Sequence, residues 1–187
     1  GVDPASRLAI HPYPAELERR MTLEDGCEVL LRPIRPEDAG AVARTFGRLS
    51  ADDARFRLFA PLRELPIELV ARLTQIDYDR EMALVAEDPA SPGELLGGAR
   101  VSMEPDGRRA EFAVTVRTDG QGHGLGRCTL EAVLDYARQR GVEEVWGTIL
   151  ADNHRMLGLA KALGFALRCD PDEPDAVLAV KRLDAAA

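Results

Sequence analysis

Long apolar runs are missing from this 187-residue chain. No stretch approaches the ~20 consecutive apolar residues of a membrane-spanning helix, and no signal peptide is expected. Positive charge is in deficit, with 24 basic against 32 acidic residues and a formal net charge of −8. That balance argues against general nucleic-acid binding, which relies on a basic surface releasing counterions. Cysteine is scarce: Cys27, Cys128 and Cys169 are widely spaced and form no Cys-x-x-Cys. They suggest neither a disulfide framework nor a zinc site, and a reducing cytoplasm is the expected compartment. The histidines, His11, His123 and His154, show no metal-ligand spacing, so no metal is expected. Lysine is nearly absent, since only Lys161 and Lys181 occur among the 24 basic residues; that bias carries no mechanism by itself.

What is present is 45% apolar and 30% charged, the composition of a folded globular protein. The length suits one domain with a substantial core. Residues 1–26, with Pro4, Pro12 and Pro14, read as an arm or linker, and residues 27–184 as the domain. Residues 27–32 form the first expected strand, closed by Pro33. Arg35-Pro36-Glu37-Asp38 then opens a helix to about Leu49, with proline and acids in its first turn. Ser50 caps the next helix, and a third covers residues 66–75, where Leu69, Val70 and Leu73 share a face.

From Glu81 the period becomes that of strands, at residues 82–87, 95–103 and 109–117. Asp88-Pro89, Pro92-Gly93 and Glu104-Pro105-Asp106-Gly107 separate them, which is the turn chemistry of antiparallel hairpins. A helix ending near Arg140 is stopped by Gly141. A strand at 144–150 follows, then a helix capped by Asp152 or Asn153 and running to about Leu163. A hairpin of 165–168 with 176–182 completes the chain. The fold class is therefore α+β, with a mixed, mostly antiparallel central sheet flanked by helices.

Between the strand at 109–117 and its helix lies Gln121-Gly122-His123-Gly124-Leu125-Gly126. Three glycines in six residues permit a tight turn and close approach of another molecule to the backbone. The first amides of the helix point into that turn without intrahelical partners and, with the helix dipole, suit a phosphate-type anion. The alternative is a turn whose glycines only relieve strain. The spacing is not that of a nucleoside-triphosphate loop, nor of the dinucleotide Gly-x-Gly-x-x-Gly.

Gln121, Gly124 and Gly126 fill the Gln/Arg-x-x-Gly-x-Gly/Ala signature, and the segment resembles the GNAT superfamily of N-acetyltransferases. Leu31-Arg32-Pro33-Ile34-Arg35-Pro36-Glu37-Asp38, Tyr78-Asp79-Arg80-Glu81-Met82-Ala83, Ala110-Glu111-Phe112-Ala113-Val114 and Asn153-His154-Arg155-Met156-Leu157 are similar to bacterial protein lysine acetyltransferases called Pat. So is the stretch of residues 7–26, which resembles the segment joining Pat's synthetase-like domain to its acetyltransferase domain. The expectation is an excised catalytic domain of a longer chain. The resemblance implies acetyl-CoA as cosubstrate, with its pyrophosphate on Gln121, Gly122, His123, Gly124, Leu125, Gly126 and Arg127. It also implies its pantetheine along the backbone of Val114, Thr115 and Val116, and Asn153 near the cofactor. For Asn153 a plain helix cap serves as well.

A lysine amine, with a pKa near 10.4, must lose a proton before it attacks a thioester. Strand alternation puts Glu111, Ala113, Thr115 and Arg117 on one side and Phe112, Val114 and Val116 on the other. Glu111 thus sits a few residues before the phosphate turn, where partial burial would raise its pKa toward that of a general base. The resemblance makes it the catalytic glutamate; the alternative is a solvent-facing residue paired with Arg100 or Arg109. His123 holds a variable position of the signature and is not expected to transfer protons. Many GNAT members have a tyrosine general acid where this chain has Ala160. Three functions remain open. The first is a protein Nε-lysine acetyltransferase, with an AMP-forming acyl-CoA synthetase as the implied partner. The others are a small-molecule amine N-acetyltransferase and a non-catalytic acyl-CoA-sensing module.

Overall fold

The computed structural model describes residues 12–59 and 64–184. Its strands are β1 (Arg19–Thr22), β2 (Glu28–Pro33), β3 (Glu81–Glu87), β4 (Leu95–Met103), β5 (Arg109–Val116), β6 (Glu144–Leu150), β7 (Ala166–Cys169) and β8 (Ala176–Arg182). They form one sheet in the order β1-β2-β3-β4-β5-β6-β8-β7. Every neighbouring pair is antiparallel except β5 with β6. The helices are α1 (Ala39–Gly47), α2 (Ala51–Leu58), α3 (Ile67–Thr74), α4 (Leu125–Gln139) and α5 (His154–Ala162). This is the expected mixed, mostly antiparallel sheet between helices.

Alternation along the strands builds a core on each face. Met82, Leu84, Ala99, Val101, Ala110 and Phe112 pack with Leu130, Val133, Leu134 and Ala137 of α4 and Ala160 of α5. Ala83, Val85 and Leu95 point the other way, onto Ala41 and Val42 of α1, with Phe46 and Leu73 around them. Thus α4 and α5 cover one face and α1 and α3 the other.

Two details differ from the expectation. Part of the arm belongs to the sheet: Arg19–Thr22 pairs with Glu28–Leu31 across a tight turn. Its sequence, Arg-Arg-Met-Thr, shows no apolar alternation because an edge strand in contact with solvent on most sides needs none. Residues 1–11 of the arm, with His11, lie outside the described residues. The helix expected from Arg35 begins instead as a 3₁₀ turn, Pro36–Asp38, and α1 starts at Ala39. The Asp38 carboxylate explains the tighter start. It accepts the Arg35 amide at 2.9 Å and two hydrogen bonds from the buried Arg32 guanidinium at 2.8 Å each. Arg32 Nε also donates to Glu87 at 2.7 Å. Burial is the largest single influence and would raise the Glu87 pKa, but the Arg32 hydrogen bond, the Gly93 amide and the charges of Arg32 and Arg35 together outweigh it and hold this carboxyl below its ordinary value. With both acids attached, a buried cation that would otherwise be strongly unfavourable fastens β2, β3 and the first helical turn together.

The parallel pair β5–β6 is the feature that makes a site. It is in register only over Arg109–Glu111 opposite Glu144–Trp146. Beyond Glu111 the two strands part, while β5 stays paired to β4 through Gly97↔Val116. At the point of parting the Phe112 ring lies against Gly147, where an added Cβ would come within 2.6 Å of the ring. The ring also packs on Phe165, with centroids 5.0 Å apart. Glycine at 147 makes room for an aromatic wedge between the diverging strands.

Candidate active site

The parted strands open a cleft of about 650 Å³, within the range that binds small molecules. Residues 111–116 of β5, Thr148 and Ile149 of β6, the glycine turn, and residues of α2 and α5 line it. At its closed end sits Glu111, the last β5 residue paired to β6. From Val114 to Val116 the edge of β5 that faces the cleft has no strand partner among the described residues, so backbone groups are exposed there for a ligand.

At the open end, Gly124 precedes α4 with φ 81°, a left-handed conformation suited to glycine. Gly122 is also left-handed, at φ 88°. The first helical bond of α4 is from the Cys128 amide to the Gly124 carbonyl. Among the described residues, no protein acceptor receives the amides from Gly122 through Arg127. A row of unspent donors at a helix N-terminus is an anion site by construction. Gly126 lies 3.5 to 3.8 Å, measured from an added Cβ, from Leu159, Val116 and Val114, so this turn is pressed against the cleft wall.

Gln121 is positioned by its side chain. Its Nε2 donates to Asp53 of α2 at 3.0 Å and to the Val116 carbonyl at 3.4 Å. Thr118 donates to the same Asp53 carboxylate at 2.6 Å, and the Ser50 amide donates to Thr118 Oγ1 at 2.8 Å. Ser50 caps α2 as expected, accepting the Asp53 amide at 3.1 Å. The start of α2 is thereby tied to the glycine turn. Its middle is tied across the cleft, where Arg55 Nη2 lies 2.5 Å from Asp152 Oδ2. Ser50 and Gln121 stand out in the sequence for other reasons, but the tethers themselves do not, because the paired residues lie 65 to 97 positions apart in the chain.

Of the residues expected in the site, Glu111, Val114, Thr115, Val116, Gln121, Gly122, Gly124, Leu125, Gly126, Arg127 and Asn153 all line the cleft. His123 does not. Its Nδ1 lies 2.5 Å from Asp25 Oδ2 in the β1–β2 turn, away from Glu111. Asn153 accepts the Met156 amide at 3.2 Å, the geometry of a helix cap. Arg127 reaches along its own helix to Glu131 at 3.0 Å. Ala160 is fully buried in the core and supplies no proton donor.

Glu111 has neither of the arginine partners considered for it. Arg100 reaches Glu81 and the Leu73 carbonyl, and Arg109 reaches Glu144 and Glu104. Burial in the cleft raises the Glu111 pKa, Arg57 on α2 acts against that, and Glu104 adds to it. Facing outward from the sheet with Ala113 and Thr115, Glu111 thus presents a carboxylate more basic than usual at the end of an open channel. Among the described residues no group of His, Cys, Asp and Glu could hold a metal ion, and no helix is long and apolar enough to cross a membrane.

The family profile described as acetyltransferase (GNAT) matches residues 51–165. Acetyltransferase PA5475 of Pseudomonas aeruginosa is 35% identical over 162 residues, which cover 84% of this chain and 85% of that one. An L-methionine sulfoximine/L-methionine sulfone acetyltransferase of Pseudomonas aeruginosa is 32% identical over 123 residues, covering 62% and 70%. The crystal structure of the GNAT domain of S. lividans Pat superposes with a TM-score of 0.84 at 27% identity, covering 92% of this chain and 100% of that one.

Proposed function

Since the chain belongs to the acetyltransferase (GNAT) family and is an acetyl-CoA-dependent N-acetyltransferase, we propose that its acceptor is the Nε amine of a lysine on a target protein. The observation that carries this reading is the cleft itself, in which Glu111 ends a channel whose other end is a row of unspent amides. In this reading the amides of Gly122 through Arg127 hold the pyrophosphate, and the free edge of Val114, Thr115 and Val116 holds the pantetheine arm. The Val114 amide faces the thioester oxygen; a donor placed where negative charge develops typically lowers a barrier by about 3 kcal/mol.

Glu111 takes a proton from the incoming ammonium, directly or through one water, so that the amine reaches the thioester carbon neutral. The CoA thiolate is a tolerable leaving group, which fits the absence of a donor at Ala160. Asn153 shapes the channel by capping α5. Similarity to a Pat domain over its full length supports a protein acceptor. On that reading the partner is an AMP-forming acyl-CoA synthetase whose active-site lysine is acetylated, and the compartment is the cytoplasm, where the free cysteines stay reduced. A second reading, a small amino-acid-type amine as acceptor, draws on the sulfoximine-acetylating relative.

One experiment separates the readings. Incubated with acetyl-CoA and purified acyl-CoA synthetases, the protein should add 42 Da (about one acetyl mass) to a single lysine-bearing peptide, detected by mass spectrometry. Unmodified synthetases together with rapid acetylation of free amino acids would reject the lysine reading in favour of the second.

A further inference from the structure

Arg57 is a charged cleft residue that the proposed chemistry does not use. Arg57 lies one turn beyond Asp53 on α2, at the i+4 position and so on the same face. Asp53 meets Gln121 at the glycine turn, while Arg57 meets the surroundings of Glu111, Ala113 and Thr115. Arg57 therefore lies alongside β5 on the Glu111 side of the cleft, one helical turn from the residue that meets the glycine turn.

Three arginines close to Arg57 have acceptors: Arg55 has Asp152, Arg100 has Glu81 and the Leu73 carbonyl, and Arg117 has Asp119. Among the described residues the Arg57 side chain forms no hydrogen bond and no ion pair. Its guanidinium is partly withdrawn from water beside Ile34, Phe46 and Leu73. Burial, then the like charge of Arg100, lowers its pKa to about 10, with Glu111 acting in the opposite direction. It is still a cation at neutral pH. A guanidinium has five donors and no acceptor, and withdrawing it from water without a partner is unfavourable. It would also repel an acceptor that brought only an ammonium to Glu111. An acceptor that carries a carboxylate next to its amine removes both penalties, and Arg is the side chain whose fork fits a carboxylate in two places.

We propose that Arg57 is a specificity-determining residue that pairs with a carboxylate on the acceptor, beside the amine that Glu111 deprotonates. Resting on the lysine reading, this makes the carboxylate an Asp or Glu side chain flanking the target lysine. If the acceptor were a free amino acid, its own carboxylate would serve.

The test uses matched acceptors. Lysine peptides with glutamate at the flanking positions are compared with the same peptides carrying glutamine, for the wild type, Arg57→Gln and Arg57→Lys. Free amino acids are compared with their decarboxylated amines in the same way. The wild type should favour the glutamate peptide by about ten- to a hundredfold in kcat/KM, the usual worth of a charge-assisted pair. Arg57→Gln should bring that ratio near one, and Arg57→Lys should keep part of it. A purely structural role would lower both members of a pair equally and leave the ratio untouched, which would overturn the proposal. So would a wild-type ratio near one. Should no peptide react while amino acids outrun their decarboxylated amines through Arg57, the lysine reading fails and Arg57 keeps its role. Turnover of neither set overturns both.

Discussion

Replacing Glu111 with glutamine is expected to lower kcat/KM near neutral pH by about 10²- to 10⁴-fold, the usual contribution of a positioned general base. The substitution keeps the size of the side chain and replaces a proton-accepting carboxylate by a neutral amide that cannot take up a proton. The pH profile distinguishes this from a loss of fold. Glu111 works as the carboxylate, so wild-type activity should fall as pH drops through its pKa. That midpoint should lie above the ordinary ~4.3 of glutamate, because burial in the cleft raises it despite Arg57. In the glutamine variant that limb should vanish, and activity should rise with pH only as the amine deprotonates by itself. The gap between the two enzymes should therefore narrow toward pH ~10. Near-normal turnover of the variant at neutral pH would remove Glu111 from the mechanism.

Gly126→Glu is expected to weaken acetyl-CoA binding about a hundredfold. A side chain at this position enters the cleft wall formed by Leu159, Val116 and Val114, and its carboxylate would face the same amides that the pyrophosphate needs. Two negative charges ~5 Å apart near a protein surface repel by about 3 kcal/mol, which is about two decades in Kd. The backbone at Gly126 is ordinary helix, so the fold should survive. Calorimetry with acetyl-CoA, accompanied by a circular dichroism spectrum to check the fold, measures the effect. An unchanged Kd would mean that the pyrophosphate binds elsewhere.

Much of this architecture could be read from local patterns. The strands at 95–103, 144–150 and 176–182 match their expected bounds, because alternation and turn residues are properties of neighbouring positions. The caps at Ser50 and Asn153 were visible for the same reason. The glycine turn announced itself through residues that only a tight, ligand-facing backbone requires. What escaped notice depends on distant partners. Arg19–Thr22 is a strand because β2 offers it an edge, and nothing in its own composition says so. Asp53 and Arg55 are ordinary helix-surface residues in sequence, yet they fasten α2 to the glycine turn and across the cleft. Arg57 stands out only in three dimensions, where it lines the cleft beside Glu111 and its side chain has no acceptor among the described residues. Even for Glu111 the alternation gave the face but not the position. Its place at the vertex follows from the register of β5 on β6, a pairing between segments about 35 residues apart that no local period encodes.

The central claim is that separation of β5 from β6 creates one channel joining an anion-binding turn to a proton-accepting carboxylate. A crystal structure of the protein soaked with CoA tests it most directly. The account predicts the diphosphate on the amides of Gly122 through Arg127, the pantetheine alongside Val114–Val116, and the sulfur in the cleft next to Glu111. Coenzyme bound on any other surface, or lying in the cleft with its sulfur turned away from Glu111, would contradict it.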